Sequence, residues 1–191
     1  MGWIQPPTFV DGQQVTAGEA WNASIADNLD WLYGASAVRL TNSADISAGG
    51  GYADTWLPFD SEALNTIADG HSPATSSGKL VIGQPGLYSI TLTFSFEPAT
   101  AASRLVALLM LNAVTSLAEV WLDNDLNVVL QPNLHVLLPL RSGDELSALV
   151  LQSNASSETI RAEGDYTPIL TAVWVAGIYP VGGDDPDRIA S

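Results

Sequence analysis

Residues 80–96, Leu80-Val81-Ile82-Gly83-Gln84-Pro85-Gly86-Leu87-Tyr88-Ser89-Ile90-Thr91-Leu92-Thr93-Phe94-Ser95-Phe96, set the fold class. Tyr88, Ile90, Leu92, Phe94 and Phe96 alternate with Ser89, Thr91, Thr93 and Ser95. Side chains of an extended chain point to opposite sides in turn, so this period of two is a strand with one apolar face. Leu80-Val81-Ile82 is a shorter apolar run, and Gly83-Gln84-Pro85-Gly86 has the composition of a turn between the two.

Further along, the runs 105–111, 128–130, 136–140, 146–151 and 169–178 are apolar at almost every residue. Between them lie Asp123-Asn124-Asp125, Pro132-Asn133, Ser142-Gly143-Asp144, Ser153-Asn154 and Gly164-Asp165, all turn-forming groups. Short strands at regular spacing with such turns predict an antiparallel sandwich or barrel over 53–178. A small antiparallel sandwich normally leaves one face of each sheet in water. Strands apolar on both faces therefore predict a second cover, which neighbouring copies of the chain would supply.

Composition agrees. The 191 residues carry 21 acidic and 6 basic side chains, a net charge of −15. Such a chain repels phosphate backbones, which argues against nucleic-acid binding. Only 14% of residues are charged while 47% are hydrophobic, against about a quarter charged in an ordinary soluble domain. A surface partly covered by other subunits explains the shortage, and so does a monomer rich in Ser, Thr, Asn and Gly. With no cysteine, thiol catalysis, disulfides and thiolate-bound metals are excluded. No apolar run approaches the length of a membrane span. No basic segment followed by an apolar one opens the chain, so no secretory leader is expected, and the start lacks the Ser or Thr of a myristoylation signal.

The front of the chain reads differently. Residues 1–15, with Pro6, Pro7 and Gly12, read as an extended arm whose Trp3, Ile4, Phe9 and Val10 need a surface to bury against. Thr16-Ala17-Gly18-Glu19 is a capping box, in which the Thr16 hydroxyl accepts from the Glu19 backbone N–H and the Glu19 carboxylate accepts from that of Thr16. Trp21, Ile25, Leu29 and Leu32 then fall on one face of a helix ending near Gly34. Residues 35–52 are rich in Ala, Ser and Gly and end in Gly49-Gly50-Gly51. They read as a linker with a short strand near 37–40. Residues 179–191 form an acidic tail.

Several patterns invite chemistry and stop short of it. His71 and His135 are the only histidines, and no Gly-x-Ser-x-Gly elbow is present. Gly78-Lys79 lacks both the earlier Gly and the following Ser or Thr of a phosphate loop. Asp123 and Asp125 open a stretch like a calcium loop, but its sixth position is Val128 and its twelfth Leu134, where Gly and Glu are needed. They are the weak metal candidates. No pair of carboxylates stands out for sugar hydrolysis. No catalytic residue and no cofactor is assigned. Among the six tryptophans, Trp56 and Trp121 are the candidates to stack on a sugar ring, although core or subunit packing is the commoner role of a large hydrophobic group.

Ser77-Gly78-Lys79-Leu80-Val81-Ile82-Gly83-Gln84-Pro85-Gly86-Leu87-Tyr88 resembles the signature of C1q- and tumour-necrosis-factor-like domains, a strand, a Pro-Gly turn and a Leu-Tyr opening the next strand. Leu137-Leu138-Pro139-Leu140-Arg141-Ser142-Gly143-Asp144-Glu145-Leu146 is similar to that family's later strand, Gly-Asp turn and strand, and 169–177 fits its closing strand. The resemblance implies a mainly β, antiparallel jelly roll that assembles as a homotrimer. Candidate interface residues are then Leu105, Ala107, Leu109, Leu111, Leu138, Leu140, Val173 and Val175. The front departs from animal members of that family. Phe9-Val10-Asp11-Gly12-Gln13-Gln14-Val15-Thr16-Ala17-Gly18-Glu19-Ala20-Trp21-Asn22, continuing through Asp27-Asn28-Leu29, resembles an N-terminal module of tailed-bacteriophage structural proteins.

Together the two resemblances imply a non-enzymatic protein on the virion surface, made in the host cytoplasm, as a capsid decoration protein or head spike. Trp3, Phe9, Trp21, Ile25, Leu29 and Leu32 would dock it on other virion proteins. The alternatives are a tail-tip or baseplate adhesin for a host glycan, a secreted C1q-like or tumour-necrosis-factor-like ligand, and a depolymerase.

Overall fold

A computed structural model describes residues 37–65, 71, 77–97, 103–124 and 128–176. The expected helix with its docking side chains, the acidic tail and Asp125 lie outside the described residues. Ser36–Ile178 forms one compact unit, and it is mainly β. In chain order the strands are β1 (Ala37–Thr41), β2 (Ile46–Ala48), β3 (Thr55–Trp56), β4 (Ser61–Asn65), β5 (Leu80–Val81), β6 (Gly86–Thr93), β7 (Ser95–Glu97), β8 (Ser103–Leu111), β9 (Thr115–Asn124), β10 (Asn133–Leu140), β11 (Glu145–Gln152), β12 (Glu158–Arg161) and β13 (Ile169–Ala176). A 3₁₀ turn spans Gly164–Tyr166.

All strand pairings described are antiparallel. One sheet has the order β10-β6-β13-β1-β4, a second the order β3-β11-β8-β9 with β5 also on β11, and a third the order β2-β12-β7. Apart from the β8–β9 hairpin, paired strands are distant in sequence, as in a jelly roll. The β6 alternation places Tyr88, Ile90 and Leu92 in the core and leaves Ser89, Thr91 and Thr93 outward and half-buried. Each fully buried Leu, Ile or Phe contributes about 1.5–3 kcal/mol, so this single face already anchors the strand.

The alternating pattern does not run as one strand to Phe96. After Thr93 the chain leaves the first sheet, and Phe94, Ser95 and Phe96 are buried in succession. β7 pairs instead with β12. The crossing corner is enclosed, so period two gives way to continuous burial there.

Residues 37–52 are not a linker. Val38 and Leu40 of β1 are core residues, and β1 lies between β13 and β4. Gly49-Gly50-Gly51 is packed rather than a hinge: a Cβ on Gly50 would sit 2.4 Å from the Ala155 carbonyl oxygen. Gly51 has φ +65° and donates its backbone N–H to the Asn154 carbonyl at 2.6 Å. The short strand expected near 37–40 is present as β1; the linker reading fails because loop-forming composition dominates the stretch and hides that β1 is a core strand. Likewise 128–130 forms no strand and makes only an isolated bridge, Leu130 to Phe96.

A polar staple closes one end of the second sheet. The fully buried Gln152 side chain donates to the carbonyls of Gly49 (3.0 Å) and Ser156 (2.7 Å) and accepts from the Asn154 backbone N–H (2.6 Å). These half-buried bonds tie the loop to the strand, each worth about 0.5–1.5 kcal/mol net.

Candidate functional site

The two large sheets each present an outer face, and they differ in chemistry. On the first, cross-strand register lays out parallel rows. Leu137, Ser89, Val173 and Ala37 form one row, and His135, Thr91, Thr171 and Arg39 the next. Pro139 and Leu87 continue the face beside Val175, which lies where the β13 register shifts. Leu137 is 57% exposed, Val175 is also exposed, and Leu87 and Val173 are half-buried. Across the described outward positions of β10, β6, β13 and β1, Arg39 is the one Lys, Arg, Asp or Glu.

This layout revises the expected subunit contacts. Leu105, Ala107, Leu109 and Leu140 are buried within the single chain. A side chain with no exposed surface touches no second chain. Leu138 stands opposite core Tyr88 and shares its inward face, and Leu111 is half-buried on the second sheet. Val173 and Val175 do lie on the outer face of the first sheet. Leu137, which sequence reasoning passed over, is the most exposed large apolar side chain of that face. Nor do the doubly apolar strands β8 and β11 need a sister chain for all of their second face. Val106, Met110 and Leu149 point away from the core side of their strands and are nevertheless buried.

The second sheet's outer face carries three of the four exposed aromatics among the described residues, the fourth being Tyr166 in the 3₁₀ turn. Tyr52, just before β3, donates its backbone N–H to the Gln152 carbonyl at 2.7 Å. That places it in a row with Ser153, Arg104 and Asp123. The next row holds Leu151, Val106 and Trp121, and the next Trp56, Leu149, Leu108 and Glu119. Trp121 is 56% exposed, Tyr52 46% and Trp56 38%. Val106 lies between Leu151 and Trp121, and Leu149 between Trp56 and Leu108. The Arg104 guanidinium lies 5.8 Å from the Trp121 ring centroid, within range of a cation–π attraction. Its Nε donates to Asp123 Oδ1 at 2.7 Å and its Nη2 to Oδ2 at 3.4 Å. These bonds hold the Asp123 carboxyl below its ordinary pKa and, with the Tyr52 side chain beside it, raise that of Arg104.

Both oxygens of Asp123 are thus engaged by Arg104, which disfavours a cation there, while Asp125 lies outside the described residues. Among the described residues no group of three His, Cys, Asp or Glu is arranged to hold a metal. His135 Nε2 and Ser89 Oγ are 3.0 Å apart, a contact the sequence did not suggest. Their row neighbours among the described residues are Leu137, Thr91 and Val173, none of them a carboxylate to orient the imidazole as in a triad. His71 Nδ1 pairs with Glu62 at 2.9 Å. A cleft of about 180 Å³ is lined by Thr93, Phe94, Ser95, Gln131, Pro132, Asn133 and Thr167, none of which supplies an acid or base near neutral pH.

No family model and no curated protein matches the chain. Solved structures do. Eiger TNF from S. frugiperda superposes with a TM-score of 0.54 at 13% identity, covering 79% of this chain and 99% of that one. Murine APRIL at pH 5.0 gives 0.55 at 12%, covering 74% and 99%. The globular domain of the zebrafish complement 1qA protein gives 0.52 at 16%, covering 75% and 99%. The fold is therefore the antiparallel jelly roll of TNF- and C1q-like domains.

Proposed function

We propose that the chain is a non-enzymatic structural protein of a tailed-phage virion, a homotrimeric jelly-roll head joined to the particle through residues 1–34. The observation that carries the assembly is the outer face of the β10-β6-β13-β1-β4 sheet. On β10, β6, β13 and β1 it leaves Leu137 and Val175 exposed beside Leu87, Val173 and Ala37, with Arg39 the one Lys, Arg, Asp or Glu at the described outward positions of those four strands. An apolar face of this kind favours burial against other copies. The three-fold stoichiometry follows from the resemblance to C1q- and tumour-necrosis-factor-like domains. The particle assignment follows from the likeness of residues 9–29 to a module of tailed-phage structural proteins. Trp3, Phe9, Trp21, Ile25, Leu29 and Leu32 are its docking side chains, and the virion surface is its place.

The test uses the full chain. Light scattering is expected to give three times the 20.1 kDa chain mass. Phage produced with Trp21→Ala and Leu29→Ala together is expected to lack the protein while the purified variant still trimerises. A monomer in the first measurement overturns the assembly, and normal incorporation in the second overturns the anchor.

A further inference from the structure

The outer face of the β3-β11-β8-β9 sheet lies on a different sheet from the subunit contacts just proposed, and its chemistry requires neither the trimer nor the particle. Its exposed apolar surface is concentrated in the rings of Tyr52, Trp56 and Trp121, because the aliphatic groups Val106 and Leu149 between them are already buried. Around the rings stand polar groups: the Arg104–Asp123 pair at one end of the face and Glu119 at the other.

We propose that this face binds a neutral saccharide chain, with Trp56 and Trp121 stacking on sugar rings and Arg104 and Asp123 hydrogen-bonding to ring hydroxyls. A sugar ring offers a C–H face to an aromatic plane and a rim of hydroxyls that both donate and accept. The face supplies the complement of each. Indole and phenol rings bring large apolar area at little entropy cost, with a polar edge left wet. The Arg104 guanidinium is a planar array of donors and Asp123 an acceptor, and each is already oriented by the other. Little side-chain ordering is then left to oppose binding.

Size and charge narrow the ligand. Trp56 and Trp121 are three strand spacings apart across the sheet and two residues apart along it. Spacings of about 4.8 Å between strands and 3.4 Å per residue place their backbones roughly 16 Å apart. One monosaccharide does not reach both rings, and an oligosaccharide does. Asp123 and Glu119 accompany the single cation Arg104 on these rows, on a chain of net charge −15. Sulfated or carboxylated sugars are repelled. A protein partner would need a continuous apolar centre, whereas here Val106 and Leu149 at the centre are already buried by the chain itself and Leu108 and Leu151 are half-buried.

The experiment titrates the full-length protein with neutral oligosaccharides of glucose, galactose, mannose and N-acetylglucosamine, two to seven units long, and with heparin and polysialic acid. Tryptophan fluorescence and calorimetry are the readouts. At least one neutral series is expected to saturate, with affinity rising with chain length, and the anionic polymers are not. Trp121→Ala and Trp56→Ala are each expected to weaken binding at least tenfold with melting temperature and mass unchanged. Trp121→Phe, which keeps an aromatic plane, should keep most of the affinity even if an alanine variant fails to fold. The proposal is overturned if no neutral series saturates, if heparin binds as well, or if the alanine variants bind like the parent. It is equally overturned if Trp121→Ala lowers the oligomeric state, because the face is then a contact between copies.

Discussion

Leu137 offers the sharpest test of the assembly. Its side chain is 57% exposed on the outer face of the first sheet. Burying a leucine completely contributes about 1.5–3 kcal/mol, so covering the exposed fraction is worth about 0.9–1.7 kcal/mol per chain. Three equivalent copies bring this to about 3–5 kcal/mol per trimer. Leu137→Ala gives up most of that and should lower the overall trimer association constant about 100- to 1,000-fold, at 1.4 kcal/mol per factor of ten. Leu137→Asp should leave monomers, because a carboxylate on that face would have to be desolvated without a partner. Neither change should harm the fold of the single chain, whose core does not contain Leu137. The assay is sedimentation equilibrium over a wide concentration range. Val114→Asp, at the highly exposed β8–β9 hairpin tip, is the control and should trimerise normally. If Leu137→Asp sediments as the parent does, the outer face of the first sheet is not the subunit contact.

Two further outcomes test the packing. Gly86→Ala should lower the melting temperature by several degrees, because the new Cβ would lie 2.0 Å from Trp174 Nε1 and 2.8 Å from the Ala176 carbonyl oxygen, an overpacking cost of about 1–3 kcal/mol; an unchanged melting curve would contradict this packing. Burial pushes the Tyr88 phenol from 10.0 up to about 12, and its hydroxyl donates to the Gln84 carbonyl at 2.7 Å. The folded pKa is the higher one, so this contribution is complete below pH 10 and is lost as the pH rises through about 12. Tyr88→Phe should cost about 1 kcal/mol at pH 7 yet lose less stability than the parent between pH 7 and 11. Equal losses in urea unfolding at the two pH values would refute it.

The β class of the fold was readable because alternation is a local property. Ser89, Thr91 and Thr93 declare their face without reference to any other strand, and the turn groups mark where strands stop. Leu137-Leu138-Pro139-Leu140 shows the limit. Every residue is apolar, so period two carries no signal, and only the pairing of Leu138 with Tyr88 and of Leu137 with Ser89 assigns inside and outside. The same blindness put Leu105, Ala107 and Leu109 on an interface, although their own chain buries them.

Composition and alternation alone established a mainly β, weakly charged, acidic chain without thiol chemistry, since these depend on residue type and nearest neighbours. The cross-strand register was needed to bring Trp56 and Trp121 onto one face, to join Arg104 to Asp123, and to leave Leu137 rather than Leu138 in water. Each of these rests on contacts between strands far apart in the chain, and no local pattern encodes which distant strand a given strand will choose.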